Sequence, residues 1–374
     1  MKILNFSYHE LNGHLSNQIK FDSSLNLITG QNGTGKTSVL KSCWYLYSGN
    51  IAQLIREIDF TRLELNTELV SICIERLSRT DDPVYKISVD RTDGMNIRHP
   101  DLFLPSPLTG TWSEIQPIMW KTGFAASYGH KSLFFPTFRR VEGGFSLNRP
   151  RTLRSTGFED EKENPLTKAL RSISDSLSHL ENHFICSVST ADVEQLYLAR
   201  KSLIDSEQKQ EYEELAEKIS LMIRERRSAA YKNNADAVLE RILTNVSDTE
   251  AERDKISKPL RLLAEEVSGY FPNRSIRIKN LKVDSNANAA EVNAEHLSAG
   301  EKQLLSFLCY ATFSDNNVFM VDEPELSLHL DWQRKLVKSL ISLNKSNQYF
   351  FVTHSPAIYT KYVDHEIDLS THRN

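Results

Sequence analysis

Residues 30 to 37 read Gly30-Gln31-Asn32-Gly33-Thr34-Gly35-Lys36-Thr37, filling every fixed position of the phosphate-loop spacing G-x-x-x-x-G-K-[ST]. Glycines at this spacing let the backbone curl until several N–H groups point inward, making an anion nest at the positive end of a helix. A lysine placed as Lys36 reaches the β- and γ-phosphates of a nucleotide, and a hydroxyl placed as Thr37 holds Mg²⁺. Gly30 through Ser38 therefore form the expected nucleotide-binding set. The chemistry predicted is binding of a nucleoside triphosphate.

A second group lies far along the chain. Val318-Phe319-Met320-Val321 is a compact apolar run that ends in Asp322-Glu323-Pro324. In a parallel sheet such a run delivers both carboxylates to the carboxyl edge of a strand, where ligands of these sheets bind. Asp322 is suited to coordinating, in the outer shell, the Mg²⁺ held by Thr37, and Glu323 to orienting and polarising the attacking water.

Two further stretches complete the set. Leu297-Ser298-Ala299-Gly300-Glu301-Lys302-Gln303 precedes a helical pattern, with Ser298 a good N-cap, and Thr353-His354-Ser355-Pro356 directly follows an apolar run. Here the sequence resembles the ATP-binding-cassette (ABC) ATPases, whose signature begins L-S-x-G. The resemblance implies that Ser298 and Gly300 contact the γ-phosphate held by an opposite subunit. It also implies that His354 senses the γ-phosphate, so that Lys36, Glu323 and His354 form the catalytic set with ATP and Mg²⁺ as ligands.

Within that family the wide separation of phosphate loop and signature, with helices between, is similar to the SMC, RecF and OLD branch. Glu325-Leu326-Ser327-Leu328-His329 resembles the dimer-contacting loop of stand-alone ATPases in that branch, including those of bacterial anti-phage systems such as Septu and PARIS. The implied behaviour is a homodimer or higher homo-oligomer that sandwiches ATP and controls a separate effector, a nuclease. The chain stops about twenty residues after His354, so the acidic nuclease domain of OLD-type proteins is expected on another polypeptide. The glutamine that usually touches Mg²⁺ and water in this family is either Gln116 or is replaced by the Pro136-to-Arg140 turn, where Arg139 or Arg140 contacts phosphate or pairs with surface acids. A RecF-like clamp on DNA is the alternative. It would use Arg224, Arg226, Arg227 and Lys232, which otherwise form a solvated helix face. A transporter subunit is disfavoured by the long insert. Tyr8 is a candidate either for adenine stacking or for the core.

These residues need a frame. Leu25-to-Thr29 reads as the buried strand entering the phosphate loop, and Ser38-to-Leu46 as the helix leaving it. Glu68-to-Ile74 and Val84-to-Val89 read as a hairpin around Thr80-Asp81-Asp82-Pro83, while 93–131 reads as loop-rich. Leu166-to-Leu180 and the stretch after Thr190 are helical, with a seam at Tyr212, Leu215, Ile219 and Met222 that spans about two heptads. Its packing is expected against helices of the same chain, and Ser285-to-Ala294 reads as a loop. Helices at 301–313 and 332–343 alternate with strands at 318–321 and 349–352, which predicts a largely parallel sheet. The expected fold is α/β, a P-loop NTPase of ABC-head type with an antiparallel β subdomain and a helical insertion. Its parts are an N-terminal lobe at 1–158, the insertion at 159–284 and a C-terminal lobe at 285–374.

Composition narrows the class. A chain of 374 residues with 25% charged and 40% hydrophobic residues is an ordinary globular composition. A net charge of −4 excludes a chain coated in positive charge for nucleic acid, though not a local basic groove. Cys43, Cys73, Cys186 and Cys309 form no C-x-x-C pair, which argues against zinc and disulfides and suits a reducing cytoplasm. No signal-peptide core and no long apolar stretch occur, so no membrane association is expected.

Overall fold

The computed structural model describes residues 1–91, 107–121, 131–137, 165–186, 190–226, 235–278, 281–282, 290–293 and 296–372. Alternating apolar and polar residues build the first sheet. Strand β1 (Ile3–Leu11) pairs with β2 (Leu15–Lys20), and β3 (Leu25–Thr29) leads to the phosphate loop. Helices α1 (Lys36–Ser48) and α2 (Ile51–Glu57) follow, then β4 (Arg62–Thr67), β5 (Val70–Arg76), β6 (Val84–Arg91), β7 (Leu108–Thr111) and helix α3 (Trp112–Lys121). The antiparallel sheet runs β2-β1-β4-β5-β6-β7. The expected hairpin is β5 with β6, registered at Ile72 opposite Val89.

Strand β7 and helix α3 overturn part of the loop-rich reading of 93–131. Gly110 and Pro117 disguise them. An edge strand needs only the backbone pairing that β6 offers, and a proline inside a short helix removes a single N–H.

The chain goes on through β8 (Ser132–Phe135), α4 (Pro165–Leu177), β9 (Asn182–Phe184), the long helices α5 (Thr190–Arg226) and α6 (Ala235–Tyr270), then β10 (Arg274–Ile278), β11 (Leu281–Lys282) and β12 (Ala290–Asn293). Helix α7 (Ala299–Phe313), β13 (Val318–Asp322), α8 (Leu330–Leu343), β14 (Gln348–Val352), α9 (Pro356–Tyr359) and β15 (Glu366–Asp368) complete the chain. Strand β12 corrects the reading of 285–294 as loop. Its Ala and Asn residues are poor strand formers, but it pairs in parallel with β10, and pairing context overrides propensity.

The central sheet, β15-β3-β14-β13-β8-β9, is parallel at each of its pairings. Its side chains divide by alternation. Ile28, Phe134, Val318, Met320, Phe350 and Val352 face α1 and the antiparallel sheet. Leu27, Leu133, Phe135, Phe319, Val321 and Phe351 face α5 to α8. Both faces are covered, which explains why these strands read as unbroken apolar runs. Trp44 anchors α1 beneath the sheet: its Nε1 donates to Ser132 Oγ (2.9 Å), which donates to Asn182 Oδ1 (2.7 Å). That chain of bonds ties the helix behind the phosphate loop to β8 and β9.

Helices α5 and α6, of 37 and 36 residues, form an antiparallel hairpin, as the bonds Gln208–Arg253 and Asn245–Met222 require. At 1.5 Å per residue each spans roughly 55 Å. Their bases are buried on the central domain through Val193, Tyr197, Ile204, Leu263, Val267 and Tyr270. The seam residues Leu215, Ile219 and Met222 are half-buried, and Tyr212 is exposed with the Arg253 guanidinium over its ring at 3.9 Å. The pairing is thus within the chain, as expected, but extends well beyond about two heptads. The expected fold class holds: an α/β parallel-sheet P-loop core, an antiparallel subdomain and a helical insertion.

Candidate active site at the carboxyl edge of the parallel sheet

Four neighbouring strands, β3, β14, β13 and β8, point their carboxyl ends the same way, and each ends in residues of the candidate site. After β3 the loop turns through Gly35, which is the N-cap of α1 with φ 79°. A Cβ there would stand 2.4 Å from Leu15 Cδ1, a side-chain end that can swing aside, so it is the left-handed conformation that demands glycine. Helix α1 begins without a side-chain cap, leaving its first amides to a ligand.

Lys36 is 5% exposed, and its Nζ donates to the carbonyls of Gly30 (3.0 Å) and Gln31 (2.8 Å). Burial lowers its pKa, opposed by the negative charges of Glu323, Asp322 and Asp368. The ammonium lies folded on its own loop, available to a stronger anion. Asn32, Gly33, Gly35, Lys36, Thr37, Ser38, Glu323 and His354 line one cavity of about 390 Å³ together with Asn12. Gly30, Gln31 and Thr34 form the loop's stem, with Thr34 Oγ1 donating to the Gln31 carbonyl.

Asp322 is buried beneath the cavity. Thr37 Oγ1 donates to its Oδ1 at 3.3 Å, and Thr137 Oγ1, at the end of β8, donates to its Oδ2. Hydroxyl and carboxylate oxygens are hard donors of the kind Mg²⁺ prefers, and that ion takes only one or two protein ligands besides phosphate. Among the described residues no cluster of three or more His, Cys, Asp or Glu side chains gathers, and a Mg²⁺–nucleotide site needs none. The donor set fits.

Glu323 has φ 50° and its N–H donates to the Val352 carbonyl (2.8 Å). A left-handed conformation at a non-glycine residue costs energy. Here it turns the side chain off the strand end and into the cavity. His354, after β14, also lines the cavity and is exposed.

Ser298 and Gly300 lie elsewhere. Among the described residues that line the cavity neither appears. Ser298 is exposed at the N-terminus of α7 in a full capping box: its Oγ accepts from Glu301 N (3.4 Å), and Glu301 Oε2 accepts from Ser298 N (2.7 Å). Arg274 pairs with Glu301 at 2.8 Å.

A family profile described as "AAA domain, putative AbiEii toxin, Type IV TA system" matches residues 129–359, more than half of the chain. The chain belongs to this family. The match spans β8, the Ser298 segment, the acid pair and His354, while the phosphate loop lies upstream of it. This AAA domain is also similar to "Retron Vc95 probable ATPase" of Vibrio cholerae serotype O1 biovar El Tor, 21% identical over 94% of this chain and 70% of that protein. Among solved structures, it is similar to the Smc head domain with an extended coiled coil, bound to the C-terminal domain of ScpA, from Pyrococcus furiosus (TM-score 0.37, 15% identity, 96% of this chain and 91% of that one). A second is the SmcHead bound to the C-winged helix domain of ScpA (TM-score 0.39, 14% identity, 96% and 92%).

Sequence reasoning missed three contributors. Thr137 reaches Asp322. Asn12, at the β1–β2 turn, donates from Nδ2 to Ser38 Oγ (2.9 Å). Ser370 Oγ accepts the Gln31 N–H at 3.0 Å. Asn12-Gly13 carried a local signal as a turn dipeptide, and Thr137 lies in the Pro136-to-Arg140 turn that the resemblance placed here, although its own hydroxyl was not singled out. Tyr8 is 6% exposed in the core, which corrects its candidacy for adenine stacking. Gln116 sits on α3 beside the antiparallel sheet and does not line the cavity. Arg139, Arg140, Arg227 and Lys232 lie outside the described residues, so of the basic cluster only Arg224 has a described, exposed side chain. Among the described residues no helix is long and apolar enough to cross a membrane.

Proposed function

We propose that this chain is an ATP-hydrolysing switch of ABC type that closes as a homodimer or higher homo-oligomer around ATP. In this reading it controls a separate effector, a nuclease, in cytoplasmic anti-phage defence. The observation that carries the reading is a division of parts. The phosphate loop, Glu323 and His354 share one cavity, while Ser298 and Gly300 stand apart on α7. A second subunit would bring the missing half.

The residues act as follows. Lys36 exchanges the Gly30 and Gln31 carbonyls for the β- and γ-phosphates, and the amides opening α1 accept the remaining negative charge. Thr37 and Asp322 would hold Mg²⁺, which when bound neutralises charge on the phosphate oxygens. Glu323 orients the attacking water and takes its proton, and His354 donates toward the γ-phosphate. Ser298 supplies its hydroxyl from across the interface. Hydrolysis weakens the bridge between subunits, so γ-phosphate occupancy sets the subunit geometry. The names of the family and of the retron relative support a role in a multi-component system.

Turnover per molecule, measured over a dilution series, tests the dimer. The expected result is a rate that falls as self-association is lost, and a further loss when Ser298 is replaced by a bulky residue. Equal turnover per molecule at every dilution, with Ser298 enlarged and no dimer detectable, overturns the reading. The RecF-like alternative instead expects DNA affinity that falls steeply with salt.

A further inference from the structure

We infer that Glu325 is the positioning residue for His354, joining the helix that carries Ser298 to the wall of the nucleotide cavity. This rests on the site reading above and names its internal wiring. By sequence Glu325 belongs to the segment expected to contact a dimer partner. Its carboxylate instead turns inward. Both oxygens accept from Thr353 Oγ1 (2.9 and 2.9 Å), and Oε1 also accepts from His354 N (2.7 Å) and Ser355 N (3.1 Å). Charge-assisted bonds to backbone amides are strong and directional, and these amides belong to His354 and the residue after it. The imidazole is exposed, so the path of its backbone decides where it stands.

The loop bearing Glu325 is gripped from two helices. Gln303 of α7 donates from Nε2 to the carbonyls of Pro324 (3.2 Å) and Leu326 (2.9 Å). Gln333 of α8 donates to the Leu328 carbonyl (2.9 Å) and accepts from Ser355 Oγ (2.6 Å). Gly300, two residues after Ser298, packs so closely that a Cβ would lie 2.1 Å from the Ser327 carbonyl oxygen. A shift of the N-terminus of α7 therefore presses on 324–328 and passes through Glu325 to His354. In the dimer reading, docking of Ser298 on one nucleotide sets the histidine at the other.

The test uses the full chain with Glu325→Gln, His354→Ala and the double variant. It measures kcat and KM for ATP, equilibrium binding of a fluorescent ATP analogue, and thermal melting. Glu325→Gln keeps the shape but replaces one acceptor oxygen with a donor. It is expected to lower kcat on the order of ten- to a hundredfold, with a modestly lowered melting temperature and nucleotide affinity close to wild type. The double variant is expected to be no slower than His354→Ala, since a positioner has no effect once its target is gone. A double variant slowed by the product of the single effects, a Glu325→Gln chain at full kcat, or one that loses nucleotide binding overturns the inference. A His354→Ala chain at full rate, or a wild-type chain without turnover, overturns the site reading as well. That result is distinguishable from an impaired His354→Ala beside an unimpaired Glu325→Gln.

Discussion

Helices α1 and α7 both carry motif residues at their N-termini, and they treat their free amides in opposite ways. Among the described residues α1 has no side-chain cap and no acid in its first turn. Helix α7 has Ser298 and Glu301 bonded reciprocally, with Arg274 pairing to Glu301. A glycine N-cap gives up only roughly a few tenths of a kcal/mol relative to a side-chain cap. That small deficit stands where the left-handed Gly35 turn favours glycine. The capped end is stable by itself, and its hydroxyl must be shared if it meets a phosphate. Under the proposed function the contrast corresponds to an order: a lone protomer binds nucleotide through α1, and α7 engages afterwards, when a second subunit arrives.

The largest expected effect lies in chemistry rather than binding at either helix. Glu323→Gln should reduce turnover on the order of 10²- to 10⁴-fold while ATP binding and ATP-dependent self-association persist, as read by steady-state hydrolysis and sedimentation. Native turnover in this variant would remove Glu323 from its assigned role. Next comes Lys36→Ala, which strikes the α1 side alone. Nucleotide affinity should fall on the order of a hundredfold, measured by equilibrium titration, with α7 untouched. The charged lysine is the binding form, and burial lowers its pKa. Wild-type affinity should therefore begin to decline with rising pH below the ordinary lysine value of about 10.4. An alkaline limb that survives Lys36→Ala would assign it to another group.

The legibility of these two ends differs for a physical reason. The phosphate loop is readable because positive-φ turns dictate glycine, and Ser298 is readable because serine is a favoured N-cap ahead of a helical pattern. Strands β13 and β14 announce themselves as apolar runs because both sheet faces are covered. Thr137, Asn12 and Ser370 are not readable in this way. Each reaches the site because the topology sets distant segments side by side: β8 against β13, the β1–β2 turn against α1, and the segment after β15 against the loop. No local period encodes that. The same holds for the α5–α6 hairpin, whose length comes from mutual pairing rather than from a continued heptad.

A smaller effect should separate the two helix ends directly. Ser298→Ala removes the cap of α7 and should cost about 1 kcal/mol of stability. It should lower turnover severalfold while leaving the nucleotide affinity of a lone protomer unchanged. If affinity measured at high dilution falls in parallel with turnover, Ser298 acts within its own protomer and the proposed order of engagement fails.

The smallest expected effect concerns what holds the α1 side in shape before any ligand arrives. The Gln31 amide, second in the phosphate loop, spends its N–H on Ser370 Oγ, and the Ser370 amide is itself fixed by Asp368 Oδ1 at 2.8 Å. Thr29, just before the loop, donates to Glu366 Oε1 at 2.6 Å. The segment after β14 therefore braces the loop through Gln31 and Thr29. When Lys36 leaves the Gly30 and Gln31 carbonyls for phosphate, this brace keeps the stem from following it. Ser370→Ala deletes one neutral hydrogen bond, worth about 1 kcal/mol, and should weaken nucleotide binding roughly fivefold with kcat and melting little changed. The effect should vanish in a Lys36→Ala background, where nothing pulls on the stem. A Ser370→Ala penalty that persists there would mean that the hydroxyl supports the fold generally and not the loop's exchange of partners.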